Sequence, residues 1–124
     1  FSLYPHHLAG GTGCTLDSFR EMIARTAERI GVAHLGIGSA LCQDQPDSVV
    51  EWMRTGRWTK GVEYGEGSAS APGFPPQPDW FRDNRDFDNI ERGLRAVGFD
   101  EGEVAGIMGG NWYRFYEENF GPMR

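Results

Sequence analysis

His6 and His7 stand side by side behind Pro5, and Ser39 closes the run Gly36-Ile37-Gly38-Ser39. Imidazole titrates near neutrality, so histidines are the first candidates for proton transfer or metal ligation. Adjacent residues of an extended chain point to opposite sides, which makes His6 and His7 a poor chelating pair. Contact of one imidazole with a substrate and a plain surface or capping role both stay open. Cys14 and Cys42 form no CxxC pair and no disulfide framework. They read as free thiols in a reducing compartment, which points to the cytoplasm. A nucleophilic Cys would need His and carboxylate partners that the sequence does not assign. The loop Gly10-Gly11-Thr12-Gly13 has freedom to cradle an anion, but it lacks the GxxxxGK[ST] pattern of a phosphate loop.

The elements that would position these groups follow from periodicity. His34 to Gly38 is a short apolar run between glycines, which predicts a strand covered on both faces. Gly36 and Gly38 let a backbone or ligand approach closely; a core strand that simply loses its pairing at two glycines is the alternative. Ser39 to Cys42 would lie past the strand's carboxyl end, where α/β folds place substrates. Phe1 to Tyr4 read as the tail of another strand, ended by Pro5. Between them, Thr15 caps a helix to Ile30, and Phe19, Met22, Ile23, Thr26, Ala27 and Ile30 form its stripe. Strand, helix and strand make a βαβ unit with a parallel pair. His34 falls at the end of its strand opposite the usual site.

Downstream, a short helix runs from Ser48 to about Met53. Residues 55–85 form an irregular Gly/Pro/aromatic insertion, whose Trp58, Tyr64, Phe74, Trp80 and Phe81 either pin it to the body or line a contact. Asp86 is expected to cap a helix from Phe87 to Val97, with Gly98 as its C-cap. Asp100 and Glu103 make a capping box. Gly109-Gly110 interrupts a last helical stretch, which close packing against a neighbour would explain.

Composition excludes some classes. A chain of 124 residues fits one small domain, here a single segment over 1–124. Its net charge of −6, with Lys60 the only lysine, argues against nucleic acid and against an anionic membrane surface. No apolar run approaches the length of a membrane span. The start at Phe1, without polar lead-in, reads as the inside of a strand, so a piece of a larger or processed protein is expected.

Three stretches together carry a resemblance. Gly36-Ile37-Gly38-Ser39-Ala40 after an amphipathic helix, the helix at Asn89 to Val97 with Gly98-Phe99, and the closing Ile107-Met108-Gly109-Gly110-Asn111-Trp112-Tyr113-Arg114-Phe115 resemble the end of the membrane (renal) dipeptidase family of zinc metallopeptidases. The resemblance implies an α/β fold, the C-terminal part of a TIM-like (β/α)8 barrel. Its last two strands would lie at Phe1–Tyr4 and His34–Ser39, with flanking helices and a long loop insertion. It implies zinc, whose ligands match no position here, and a dipeptide-like substrate. The remainder of the barrel would be a partner chain or a missing segment, and a homo-oligomer is compatible. Tyr4, His6, His7 and Ser39 would form a substrate-binding wall. At the family's acid/base Asp stands Ala40, which transfers no proton. Two alternatives stay open: a catalytically inactive homologue, and a small self-standing α/β binding module.

Overall fold

The computed structural model describes residues 1–41, 44–50 and 73–121. Helix α1 spans Leu16–Ile30, α2 Phe87–Ala96, α3 Glu101–Ala105 and α4 Asn111–Phe120. A π-helical turn, Gly106–Gly110, joins α3 to α4. Short 3-10 turns occur at Pro5–His7, Gly11–Gly13, Val32–His34 and Asn84–Asp86. Residues 47–50 are helical; the rest of the helix expected to Met53 lies outside the described residues, as do Trp58, Tyr64 and Cys42.

Local chemistry sets the helix ends. The Thr15 hydroxyl accepts from Ser18 N at 3.1 Å, and Gly31 leaves α1 with φ 85. Asp100 accepts from Glu103 N at 2.9 Å while Glu103 accepts from Asp100 N at 3.0 Å, the reciprocal capping box expected at α3. The start of α2 differs from expectation. Asp83, not Asp86, supplies the capping carboxylate, accepting from Arg85 N at 2.8 Å. Asp86 instead takes the main-chain N–H groups of Arg82 and Asp83. The Arg85 guanidinium, hydrogen-bonded to Asp83, holds that carboxyl at about 2. This contact is therefore formed above the ordinary carboxylate range and is lost as pH falls toward 2.

The core gathers the inner faces of these helices. Phe19 and Ile23 of α1, Ile90 and Leu94 of α2, Val104 and Ile107 pack with Leu3, Leu8, Leu35 and Phe81. Gly93 allows the approach of α2 to α1: a Cβ there would meet Leu16 Cδ1 at 3.2 Å. Of the aromatics in the Gly/Pro segment, two pin it to this body. Trp80 donates to Cys14 O at 2.7 Å and its ring lies 5.0 Å from Phe19; Phe81 is fully buried, 5.1 Å from the Phe87 ring. Burial fixes them by removing large apolar area from water.

The expected α/β architecture is not formed. In place of the last two strands of a TIM-like (β/α)8 barrel, the described residues contain one isolated parallel bridge, Ser2 to Gly38. Leu3 N donates to Gly38 O at 2.9 Å and Gly38 N to Phe1 O at 2.8 Å. Among the described residues there is no strand and no sheet, and the fold is helical. The physical reason is competition for backbone groups. Pro5 opens a 3-10 turn directly after Tyr4, and Val32–His34 form another where the second strand would begin. The carbonyls of Val32, Ala33, Leu35 and Ile37 are taken by side chains of α4. A short apolar run without alternation does not by itself distinguish a strand from other buried backbone.

Gly36 is the tightest point of this arrangement. A Cβ there would meet Trp112 Nε1 at 2.5 Å, whereas nothing lies within 4 Å of one built at Gly38. Gly36→Ala is expected to lower unfolding stability by about 1–3 kcal/mol through forced displacement of the indole. Gly38→Ala should stay within about 0.5 kcal/mol. Urea denaturation of the two variants, read by tryptophan fluorescence, checks the difference.

Candidate functional site

The parallel bridge brings two chain segments to one end. From Ser2 and Gly38 both run in the same direction, so Tyr4 and Ala40, each two residues on, share that end. Behind Tyr4 the chain turns at Pro5–His7 rather than staying extended, which changes the geometry expected for the histidines. Both rings lie against Tyr4, His6 at 5.7 Å and His7 at 5.3 Å between centroids. His7 Nδ1 is 2.9 Å from Ser2 Oγ. Both imidazoles are exposed, Tyr4 and Ser39 half-buried. The structure thus groups Tyr4, His6 and His7 and sets Ser39 just past the neighbouring bridge residue. His34 lies elsewhere, exposed in the 3-10 turn before Leu35.

Ala40 adopts φ 47, the left-handed region. A Cβ there crowds the following carbonyl, at a cost of roughly 1–2 kcal/mol. Asp and Asn are the non-glycine residues that enter this region most readily. The backbone at position 40 therefore has a conformation suited to the Asp that the sequence resemblance expects, while the methyl side chain carries no proton. Asp44 is the other described non-glycine residue with positive φ, 54.

The feature that sequence reasoning missed is the role of the closing motif. Asn111 Nδ2 donates to Val32 O at 2.9 Å and to Leu35 O at 2.8 Å. Its Oδ1 accepts from Arg114 Nη1 at 3.1 Å. Arg114 Nη2 donates to Ala33 O, and Trp112 Nε1 to Ile37 O at 3.2 Å. Three side chains from one turn of helix thus hold four carbonyls of the segment leading to Ser39 and Ala40. Asn111 follows directly on Gly106–Gly110, a turn kinked at Gly109 with φ 164 and ψ −25. Gly106 leaves room for its amide, since a Cβ there would meet Asn111 Oδ1 at 3.1 Å. The close packing expected of Gly109 is absent, because nothing lies within 4 Å of a Cβ built there; one built at Gly110 would meet Ala105 O of the preceding turn at 3.2 Å, not a neighbouring element. The signal was in the sequence as an amide, an indole and a guanidinium within four residues, all donors, but nothing in the spacing named the acceptors.

Beside this contact lies a cleft of about 350 Å³ lined by residues that include His34, Gly36, Trp112, Arg114, Phe115 and Glu118. It does not include Tyr4, His6, His7 or Ser39. Its guanidinium is engaged by Ala33 and Asn111 and lies 3.8 Å from Glu118. Cys14 is buried, its thiol pushed up by desolvation, which keeps it in the poorly nucleophilic protonated form. Among the described residues no three His, Cys, Asp or Glu side chains converge to hold a metal ion. Among the same residues no helix is long and apolar enough to cross a membrane.

A solved structure, an amidohydrolase from Pseudomonas aeruginosa, superposes on this chain with a TM-score of 0.79 and 24% identity, over 98% of this chain and 35% of that one. The chain therefore spans about a third of that protein's length and shares the fold of that third. The likeness is one of fold and does not single out the membrane dipeptidases. Neither a family model nor a curated protein matches the sequence.

Two outcomes follow for stability. Asn111→Asp replaces a double donor by an acceptor facing two carbonyls, and is expected to cost about 2–4 kcal/mol, measured by chemical denaturation. Ala40→Gly relieves the left-handed strain and is expected to raise stability by about 0.5–1 kcal/mol; a lower midpoint would show that position 40 is unstrained.

Proposed function

We propose that this chain forms one wall of the substrate site of an amide-bond hydrolase acting on dipeptides, as part of a longer protein. The observation that carries the reading is the amidohydrolase likeness over nearly the whole chain. The bridge register supports it by placing Tyr4 and position 40 at one end, with His6 and His7 behind Tyr4. In this reading Tyr4, His6, His7 and Ser39 orient the substrate through hydrogen bonds and ring contacts. The dipeptidase resemblance implies zinc, but the donor set of the described residues does not fit a zinc site. No step is derived through the metal for this chain, and its ligands belong to the remaining polypeptide.

Position 40 favours a second reading, a homologue that binds without cleaving. Its backbone suits an Asp, but Ala40 neither accepts a proton from water nor returns one to a leaving amine. The two readings separate in one assay. Dipeptide hydrolysis is measured, with zinc supplied, for the longer protein carrying this segment and for its Ala40→Asp variant. Weak turnover that rises about 10²-fold or more with Asp supports a hydrolase site disarmed at one residue. No turnover in either protein, with dipeptide still bound, supports the binding homologue. Absence of both binding and turnover removes the dipeptide reading.

A further inference from the structure

The nitrogen edge of the Trp112 indole lies directly on bare backbone. A Cβ built at Gly36 would meet Nε1 at 2.5 Å, Cδ1 at 2.9 Å and Cε2 at 3.1 Å. From this position Nε1 donates to Ile37 O at 3.2 Å. Two neighbouring rings hold the indole in its pose. Tyr116 stacks on it, with centroids 6.0 Å apart and planes at 24°, and Phe115 meets it edge-on at 6.1 Å.

Ile37 O belongs to the same peptide group as Gly38 N, and that N–H donates to Phe1 O at 2.8 Å. One planar unit is thus held at both ends, its carbonyl by α4 and its N–H by the segment that leads to Tyr4. The next carbonyl, Gly38 O, accepts from Leu3 N at 2.9 Å and completes the bridge. Ser39 and Ala40 follow on one side of the bridge, Tyr4 on the other. Among the described residues the bridge is isolated, so no further ladder pair fixes this plane. Turning the peptide to release the indole would carry Gly38 N away from Phe1 O as well. The cleft that Trp112 lines does not include Tyr4, His6, His7 or Ser39, so its influence on them runs through the peptide and not through direct contact.

We propose that Trp112 is a positioning residue of the substrate site: its indole N–H fixes the plane of the 37–38 peptide and, through the bridge, sets Ser39 and position 40 against Tyr4. The proposal deepens the dipeptide-site reading and rests on it for its catalytic consequence. A displacement of about 1 Å at a reacting group costs on the order of 10²-fold in rate, so loss of one donor to this peptide has a measurable effect.

Two variants remove the hydrogen bond by different routes. Trp112→Phe takes away the donor and keeps an aromatic ring; Gly36→Ala displaces the indole and leaves it intact. Ile23→Val lowers stability from within α1 without touching the peptide, and is the control. Hydrogen–deuterium exchange of the longer protein carrying this segment is read at single amides. Gly38 and Leu3 should exchange about 10-fold or more faster in both variants, relative to the amides of α1, whereas Ile23→Val shifts the two sets together. In the Ala40→Asp protein the same two substitutions should lower dipeptide kcat about 10-fold or more, with KM changed less than about threefold. Relative exchange that stays as in the wild type or the control overturns the proposal, and so does turnover equal to that of the Ala40→Asp parent. A parent without turnover removes the dipeptide reading alone, and the exchange measurement still decides whether Trp112 positions residues 38–40.

Discussion

The constraint on which the rest depends is the capture of four backbone carbonyls by one turn of α4. Asn111, Trp112 and Arg114 take the acceptors of Val32, Ala33, Leu35 and Ile37. The two taken by Asn111 are partly buried, and a buried carbonyl that lacks a ladder partner must find another donor, since an unsatisfied one costs on the order of 1–3 kcal/mol; those taken by Trp112 and Arg114 are exposed. Side-chain donors solve that problem without a sheet. They also account for one local feature: Gly36 stands where a Cβ would collide with the Trp112 indole.

This capture is also the link to chemistry. The held segment leads into Gly38, Ser39 and Ala40, and the bridge at Gly38 ties it to the turn carrying Tyr4, His6 and His7. A site built from two irregular segments needs such bracing, because neither segment is stiffened by a helix or sheet of its own. Catalytic groups lose effectiveness when their positions relax by fractions of an ångström.

Much of the helical part was legible from residue types. Thr15, Gly31, Gly98 and the Asp100–Glu103 pair act where capping chemistry places them, and the stripe of α1 buries Phe19 and Ile23. Those signals are local: each depends on groups within four residues. The start of α2 was misread by one turn because Asp83 and Asp86 are equivalent as capping residues until the 3-10 turn between them is known. The candidate site was legible only as a set of residue types. That His6 and His7 both lie on Tyr4 depends on a 3-10 turn that an extended reading of Phe1 to Tyr4 does not supply.

By itself the sequence determined α1 with its caps and core stripe, the Asp100–Glu103 capping box and the absence of an acidic side chain at position 40. Each is set by short-range periodicity or by the chemistry of one residue. The tertiary structure alone decided what the apolar run at His34 to Gly38 becomes, and it overturned the strand. The choice between ladder pairing and side-chain capture rests on donors more than seventy residues away in the chain, and no local pattern encodes which of two distant partners reaches a carbonyl first. The same long-range contacts decided which side of α4 faces the segment from Val32 to Ile37.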